Sequence, residues 1–184
     1  MHTLRLATLR DQNEIRDIID RSCRVLGGSD YTDAQIEGAL GTAWGLDTQL
    51  IEDETYFVSL HRDDIVACGG WSFRETLFGA DQNLNRDAAI INPTDGSARI
   101  RAFFVRPEFA RRGIGSNILR HCEEQAGERG YRRFSLMATL PGKRLYERHN
   151  YVADQPVDYP LNNGLEIRFV PMHKEAPGVS QAFE

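Results

Sequence analysis

The sequence predicts a mixed α/β domain, one sheet with helices on both faces. Three observations carry this expectation. Short apolar alternations of strand type recur along the chain. Two stretches show the i, i+3, i+4 apolar repeat of an amphipathic helix. These signals interleave as β-α-α-β-β-β-α-β-α-β, with turn residues at the junctions. The 184 residues hold no internal repeat and no linker, which fits a single domain over 1–174 and a frayed tail over 175–184.

The first strand is "TLRLA" (3–7), by its alternation. The pattern turns helical at Asp11, where Asp11 and Glu14 have capping-box spacing and Ile15, Ile18, Ile19 and Cys23 share one face. "GGSD" (27–30) stops that helix, and Thr32 with Gln35 opens a second, short one through Ile36 and Leu40, ended by "GTAWG". "TYFVSLH" (55–61) and "IVACGGWSF" (65–73) read as a hairpin about Arg62-Asp63-Asp64. Residues 74–97 are polar and broken by Gly79, Pro93 and Gly96. They predict a long loop, of the kind that in compact domains often carries function. "ARIRAFFV" (98–105) is a strong strand. A helix follows from about Gly113, with Ile114, Ile118, Leu119, Cys122 and Ala126 on one face and Gly130 as its stop. "RFSLMA" (133–138) is a strand, 141–149 a short helix with Pro141 in its first turn, and "LEIRFVPM" (165–172) the last strand.

Charge is unevenly distributed. Net charge is −5, yet residues 99–148 hold 12 Lys+Arg against 5 Asp+Glu, while the rest holds 10 against 22. A basic segment in an otherwise acidic chain suits a phosphate-bearing small ligand. It argues against general nucleic-acid binding, which prefers a broad basic face. Cys23, Cys68 and Cys122 are odd in number and lack metal-ligand spacing, so they are expected as reduced, buried thiols with no metal site. The start "MHTLRLATLRDQ" lacks the basic-then-apolar layout of a signal peptide, and no apolar run reaches membrane-spanning length. The expectation is a cytoplasmic protein with no membrane partner.

The basic segment centres on "FFVRPEFARRGIGSNIL" (103–119), where a strand ends, two arginines meet a Gly-x-Gly, and a helix begins. The first amides of a helix have no intrahelical acceptor, and the helix dipole adds partial positive charge there. Gly113 and Gly115 let an anion approach the backbone; Arg111 and Arg112 add full charges and forked donors. A Gly-x-Gly alone also serves tight strand-to-helix turns, but here strand, helix and arginine pair all agree on phosphate. A dinucleotide fingerprint needs a glycine where Ile118 stands, and a P-loop needs Gly-Lys-Ser/Thr, so both of those nucleotide loops are excluded.

"VRPEFARRGIGSNIL" resembles motif A of the GCN5-related N-acetyltransferases, and "LPGKRLYERHNYV" (140–152) resembles their motif B. The early helical pair and the closing strand also sit where that family places them, so the resemblance spans about 3–174. It implies the family's acyl-CoA N-acyltransferase fold, a central, mostly antiparallel mixed sheet, with acetyl-CoA as co-substrate and no metal. It further implies that the amides of Arg111, Arg112, Gly113, Ile114, Gly115 and Ser116 cradle the pyrophosphate. Main-chain groups of Phe103, Phe104 and Val105 would pair with the pantetheine arm. Lys143, Arg144 or Arg148 would meet the adenosine end, Arg148 being carried as the site residue. The first motif A position is Ala110 rather than Gln or Arg, which loses a side-chain contact but keeps the amides. Asn150 replaces the usual glycine of motif B, and Asn tolerates the left-handed conformation the turn needs.

Acetyl transfer to an amine requires a deprotonated nucleophile, a polarised carbonyl and an acid for the departing thiolate. A backbone N–H near Phe103–Val105 suits the second task. Tyr146 resembles the family's general acid, although a tyrosine on a short amphipathic helix more commonly only packs. The strand "ARIRAFFV" lacks the carboxylate that many relatives use as base. That leaves water-mediated routes to Glu52, Asp53 or Glu75, or an amine that arrives neutral; His121 and His149 read as surface or capping residues. Family precedent makes Tyr31, Asp33, Trp44 and Tyr159 candidates for the acceptor site, and a homodimer a fair expectation. The acidic remainder favours a cationic amine, on a small molecule or a peptide. Against the enzyme stands a non-catalytic acyl-CoA-binding module that keeps the loop and has lost turnover.

Overall fold

The computed structural model describes residues 2–83 and 87–176. The N-terminal alternation forms β1 (His2–Leu6), which leads into α1 (Gln12–Gly27) and α2 (Asp33–Ala39). A one-turn α3 (Thr48–Glu52) precedes the hairpin of β2 (Tyr56–His61) and β3 (Asp64–Ser72). After the long loop come β4 (Ala98–Val105), α4 (Ile114–Glu128), β5 (Arg133–Thr139) and α5 (Lys143–Glu147). Then β6 (Val152–Ala153), β7 (Val157–Pro160) and β8 (Glu166–Glu175) close the chain. The described part of 74–97 forms neither helix nor strand. The tail expected over 175–184 begins inside β8 at Glu175, and beyond Ala176 it lies outside the described residues.

The sheet has the order β1-β2-β3-β4-β5-β8-β6, with β7 also paired to β8. Every pairing is antiparallel except β4 with β5. This is the mixed, mostly antiparallel sheet the sequence implies. Helices cover both faces. On one side α1 buries the predicted stripe Ile15, Ile18, Ile19 and Cys23, and α2 buries Ile36 and Ala39, in one cluster with Val58, Ile167 and Phe169. On the other, α4 buries Ile114, Ile118, Leu119, Cys122 and Ala126 against Trp71, Ile100 and Leu136. Each such aliphatic side chain contributes on the order of 1.5–3 kcal/mol. These stripes fix which way each helix faces, and so where α4 begins relative to β4.

The start of α1 differs from expectation. Asp11 and Glu14 do not form a capping box; the Asp11 carboxylate turns back instead. It accepts from the Thr8 N–H at 2.7 Å and from both terminal nitrogens of Arg5 at 2.8 and 2.9 Å, tying β1 to α1. The Arg5 hydrogen bonds hold its pKa down at about 2. A carboxyl depressed in the folded state contributes stability above its unfolded value of 3.8, and that contribution is lost as pH falls towards 2. Asp11→Asn is therefore expected to cost about 1–2 kcal/mol at neutral pH. In thermal melts the deficit should close as the pH is lowered into that window. A deficit that stays constant with pH would assign the loss to packing.

Between β4 and β5 the sheet opens. The two strands pair only at Ala98↔Phe134 and Arg99↔Ser135 and then diverge. The cause lies in β4, where the register against β3 shifts between Cys68 and Gly70 and Ala102 takes a left-handed φ of 61°. An extra residue in one strand bends it away from its neighbour. Gly69 makes room for the bulge: a Cβ there would lie 2.9 Å from both Ile118 Cγ2 and Phe103 Cδ2. The opening leads into a cavity of about 700 Å³.

Candidate functional site

One wall of the cavity is the turn that joins β4 to α4. A single turn of 3-10 helix (Pro107–Phe109) ends on an extended Ala110. Arg111 (φ 64°) and Gly113 (φ 81°) then both adopt the left-handed region around Arg112. Such alternation points successive amides to one side. Among the described residues the N–H groups of Arg111 through Ser116 donate no hydrogen bond, and the first helical bond runs from Asn117 N–H to Gly113 O at 3.0 Å. Six consecutive amides at a helix N-terminus thus stand free, with Arg111, Gly113, Ile114, Gly115 and Ser116 all on the cavity wall. The two glycines differ in role. A Cβ on Gly113 would meet no protein atom within 4 Å, so that face stays open to a ligand. One on Gly115 would come within 3.2 Å of Leu145 Cδ2, so Gly115 also lets α5 approach α4. Arg112 departs from expectation: its guanidinium lies over the Phe109 ring at 5.1 Å and is not on the wall.

Phe103, Phe104 and Val105 line the cavity along the diverging edge of β4. The Val105 amide has a partner already, a long 3.4 Å bond to Ser22 Oγ. Facing them, Tyr146 on α5 is buried on the wall, its ring between those of Phe103 (6.2 Å) and Tyr151 (5.8 Å). Among the described residues its hydroxyl has no hydrogen-bond partner, and burial pushes its pKa well above the ordinary 10. The turn behind it forms as the sequence implied, with Asn150 at φ 66° and the Tyr151 N–H bonded to Tyr146 O. Of the three basic candidates, Arg144 and Arg148 line the cavity. Lys143 is off the wall and paired with Glu147.

Tyr31 and Trp44 also line the cavity, edge to face at 5.6 Å. The Tyr31 hydroxyl accepts from Leu140 N–H and donates to Arg168 O, both at 2.8 Å, strapping the segment before α2 to β5 and β8; burial raises its pKa to about 12. The other two acceptor candidates are not on this wall. Asp33 is exposed in the first turn of α2, and Tyr159 sits behind the wall against Phe78 and Phe169. Glu52, Asp53 and Glu75 are also off the wall, with Asp53 gripping Arg74 at 2.7 and 2.8 Å and Glu75 bonded to Arg99 at 2.5 Å. His121 packs on Phe57, and His149 is partly buried, which lowers its pKa.

Sequence reasoning missed a buried charged pair on the cavity wall. Asp47, just before α3, lies 2.9 Å from Arg101 of β4, and both side chains are buried, 1% and 7% exposed. Arg101 also donates to Thr76 O at 2.6 Å. Gly79 of the long loop makes the space, because a Cβ there would fall 1.7 Å from Asp47 Oδ2. Asp47 and Asp30 are the carboxylates lining the cavity among the described residues. All three cysteines are buried free thiols, with Cys23 and Cys68 on the cavity wall. No group of three metal-ligating side chains occurs among the described residues, and no helix there is long and apolar enough to cross a membrane.

The family model of the acetyltransferase (GNAT) family matches residues 14–151. No curated protein sequence matches the chain. Among solved structures, the chain is similar to a GCN5-related N-acetyltransferase from Rhodopseudomonas palustris (18% identity, 94% of each chain, TM-score 0.69). It is similar also to the PaiA N-acetyltransferase of Thermoplasma acidophilum in complex with coenzyme A (11% identity, 95% of this chain and 99% of that one, TM-score 0.65). A GNAT family acetyltransferase from Brucella melitensis in complex with acetyl-CoA matches over 83% and 84% of the two chains, with 16% identity and a TM-score of 0.53. At such identities these likenesses speak for the fold.

Proposed function

The chain belongs to the acetyltransferase (GNAT) family, and we propose that it transfers the acetyl group of acetyl-CoA to the amine of a small molecule or peptide. The observation that carries this reading is the row of free amides from Arg111 to Ser116, five of whose residues line the same cavity as the buried Tyr146, whose phenol has no hydrogen-bond partner among the described residues. The amides of residues 111–116 bind the pyrophosphate, with the dipole of α4 and the Arg111 charge behind them. Arg144 and Arg148 lie on the same wall for the 3′-phosphate end, and the diverging edge of β4 takes the pantetheine arm. The acceptor nitrogen, arriving neutral, attacks the thioester carbon; the C–N bond forms as the C–S bond breaks. Tyr146 gives its proton to the departing sulfur, and the proton shed by the nitrogen passes to solvent and restores the phenol.

The cradle has a direct test by calorimetry with acetyl-CoA. Gly113→Ala places a methyl group on the open face of the turn and is expected to weaken binding about tenfold or more. Arg112→Ala, whose guanidinium is off the wall, should stay within about twofold of the parent. Equal affinity in all three proteins would put the pyrophosphate elsewhere.

A further inference from the structure

Resting on the transferase reading, in which Tyr146 is the acid, we propose that Tyr151 and Glu123 are positioning residues that fix where the Tyr146 ring stands on the cavity wall. The Tyr146 hydroxyl has no hydrogen-bond partner among the described residues, so no directional bond from them holds that side chain. Its place depends on what packs beside the ring. The ring has two aromatic neighbours, Phe103 at 6.2 Å and Tyr151 at 5.8 Å. Tyr151 also donates its backbone N–H to Tyr146 O at 3.1 Å, so it meets Tyr146 through both chain and ring.

Tyr151, in contrast, is pinned by directional bonds. Its side chain is buried, and its hydroxyl donates to Glu123 Oε1 at 2.9 Å. The other carboxylate oxygen, Oε2, accepts from Lys174 Nζ at 2.7 Å, and the same ammonium lies 5.4 Å from the Tyr151 ring centroid. Glu123 and Lys174 are each only 14% exposed. The network joins three elements: α4, whose first turn carries the free amides, β8, and the turn after α5. Packing alone would be served by a phenylalanine at 151 and apolar residues at 123 and 174. A nearly buried ion pair adds little stability over such substitutes, but its bonds have direction. Direction here supplies a single placement for the ring against which Tyr146 packs. A reacting group misplaced by about 1 Å can lose about 10²-fold in rate, so a smaller shift in its support is read in kcat.

The test follows thiol release from acetyl-CoA with hydroxylamine, 2-phenylethylamine and spermidine as probe amines, kcat being taken with the fastest, alongside acetyl-CoA calorimetry. Tyr151→Phe removes one oxygen, keeps the ring and leaves Glu123 paired with Lys174. It should lower kcat about tenfold and leave acetyl-CoA affinity within about twofold of the parent. In the Tyr146→Phe background the same change should lower kcat by less than about twofold, because the acid whose placement it disturbs is already gone. A merely structural support would cost the same in both backgrounds. Adding Glu123→Leu and Lys174→Met to Tyr151→Phe removes the whole polar network without stranding a charge. It should hold the parent's Tm and keep the tenfold loss in kcat, which separates placement from stability. Tyr151→Phe at the parent's kcat, or an equal loss in both backgrounds, overturns this assignment alone. Bound acetyl-CoA with no release from any probe amine, or Tyr146→Phe as fast as the parent, overturns the acid chemistry of Tyr146 and this assignment with it.

Discussion

Tyr146→Phe is expected to slow acetyl transfer by about 10²-fold or more while leaving acetyl-CoA affinity and thermal stability unchanged. Loss of a positioned acid costs about 10²–10⁴ in rate. The remaining properties should hold because the hydroxyl has no hydrogen-bond partner among the described residues, whereas the ring, which the substitution keeps, packs on Phe103 and Tyr151. The pH profile adds a second constraint. Burial raises the Tyr146 pKa above 10, so the phenol remains protonated throughout the working range. The parent rate should therefore climb with pH as the acceptor amine loses its proton, and show no descending limb below pH 10. Unchanged transfer by Tyr146→Phe would return this residue to a packing role. A transfer rate indistinguishable from buffer in both proteins, with acetyl-CoA bound, would favour the non-catalytic module.

The portions of this site that were legible in the sequence are those built from near neighbours. Strand, glycines and helix at 98–128 are contiguous, so the anion turn could be read from spacing alone; the left-handed Asn150 followed from one residue type in one short motif. What escaped depends on contacts between distant segments. Asp47 and Arg101 are separated by 54 positions, and neither stands in a pattern that names the other. Gly79 reads as loop punctuation until the carboxylate behind it is known. The opening between β4 and β5 comes from a bulge at Ala102, where an alanine has no signature for positive φ. The edge strands β6 and β7, of two and four residues, are too short to show alternation, and Pro156 and Pro160 argue against strand there. Position in the family points to Tyr159 and Asp33 for the acceptor site, and position alone does not fix which way a side chain packs. Packing moved the first behind Phe78, and the cap of α2 holds the second at the surface.

Asp47→Ala is expected to destabilise the fold by about 3–5 kcal/mol, because it removes the carboxylate that faces the buried Arg101 guanidinium at 2.9 Å. For a chain of this size that is a fall of about 6–20 °C in Tm. The effect measures a buried guanidinium that has lost its carboxylate and not the net worth of the pair. The cycle completed by Arg101→Met and the double substitution Asp47→Leu with Arg101→Met reads the coupling between the two charges directly. Gly79→Ala attacks the same pair from the loop side. A methyl group 1.7 Å from Asp47 Oδ2 and 2.9 Å from Arg101 Cζ cannot be accommodated without parting the two. It should therefore approach the single Asp47 substitution in cost, yet add little on top of it, since the carboxylate it displaces is then already gone. Additive losses from Gly79→Ala and Asp47→Ala would mean that the glycine serves the loop backbone and not the ion pair. A loss below about 1 kcal/mol from Asp47→Ala would place the pair in effective contact with water.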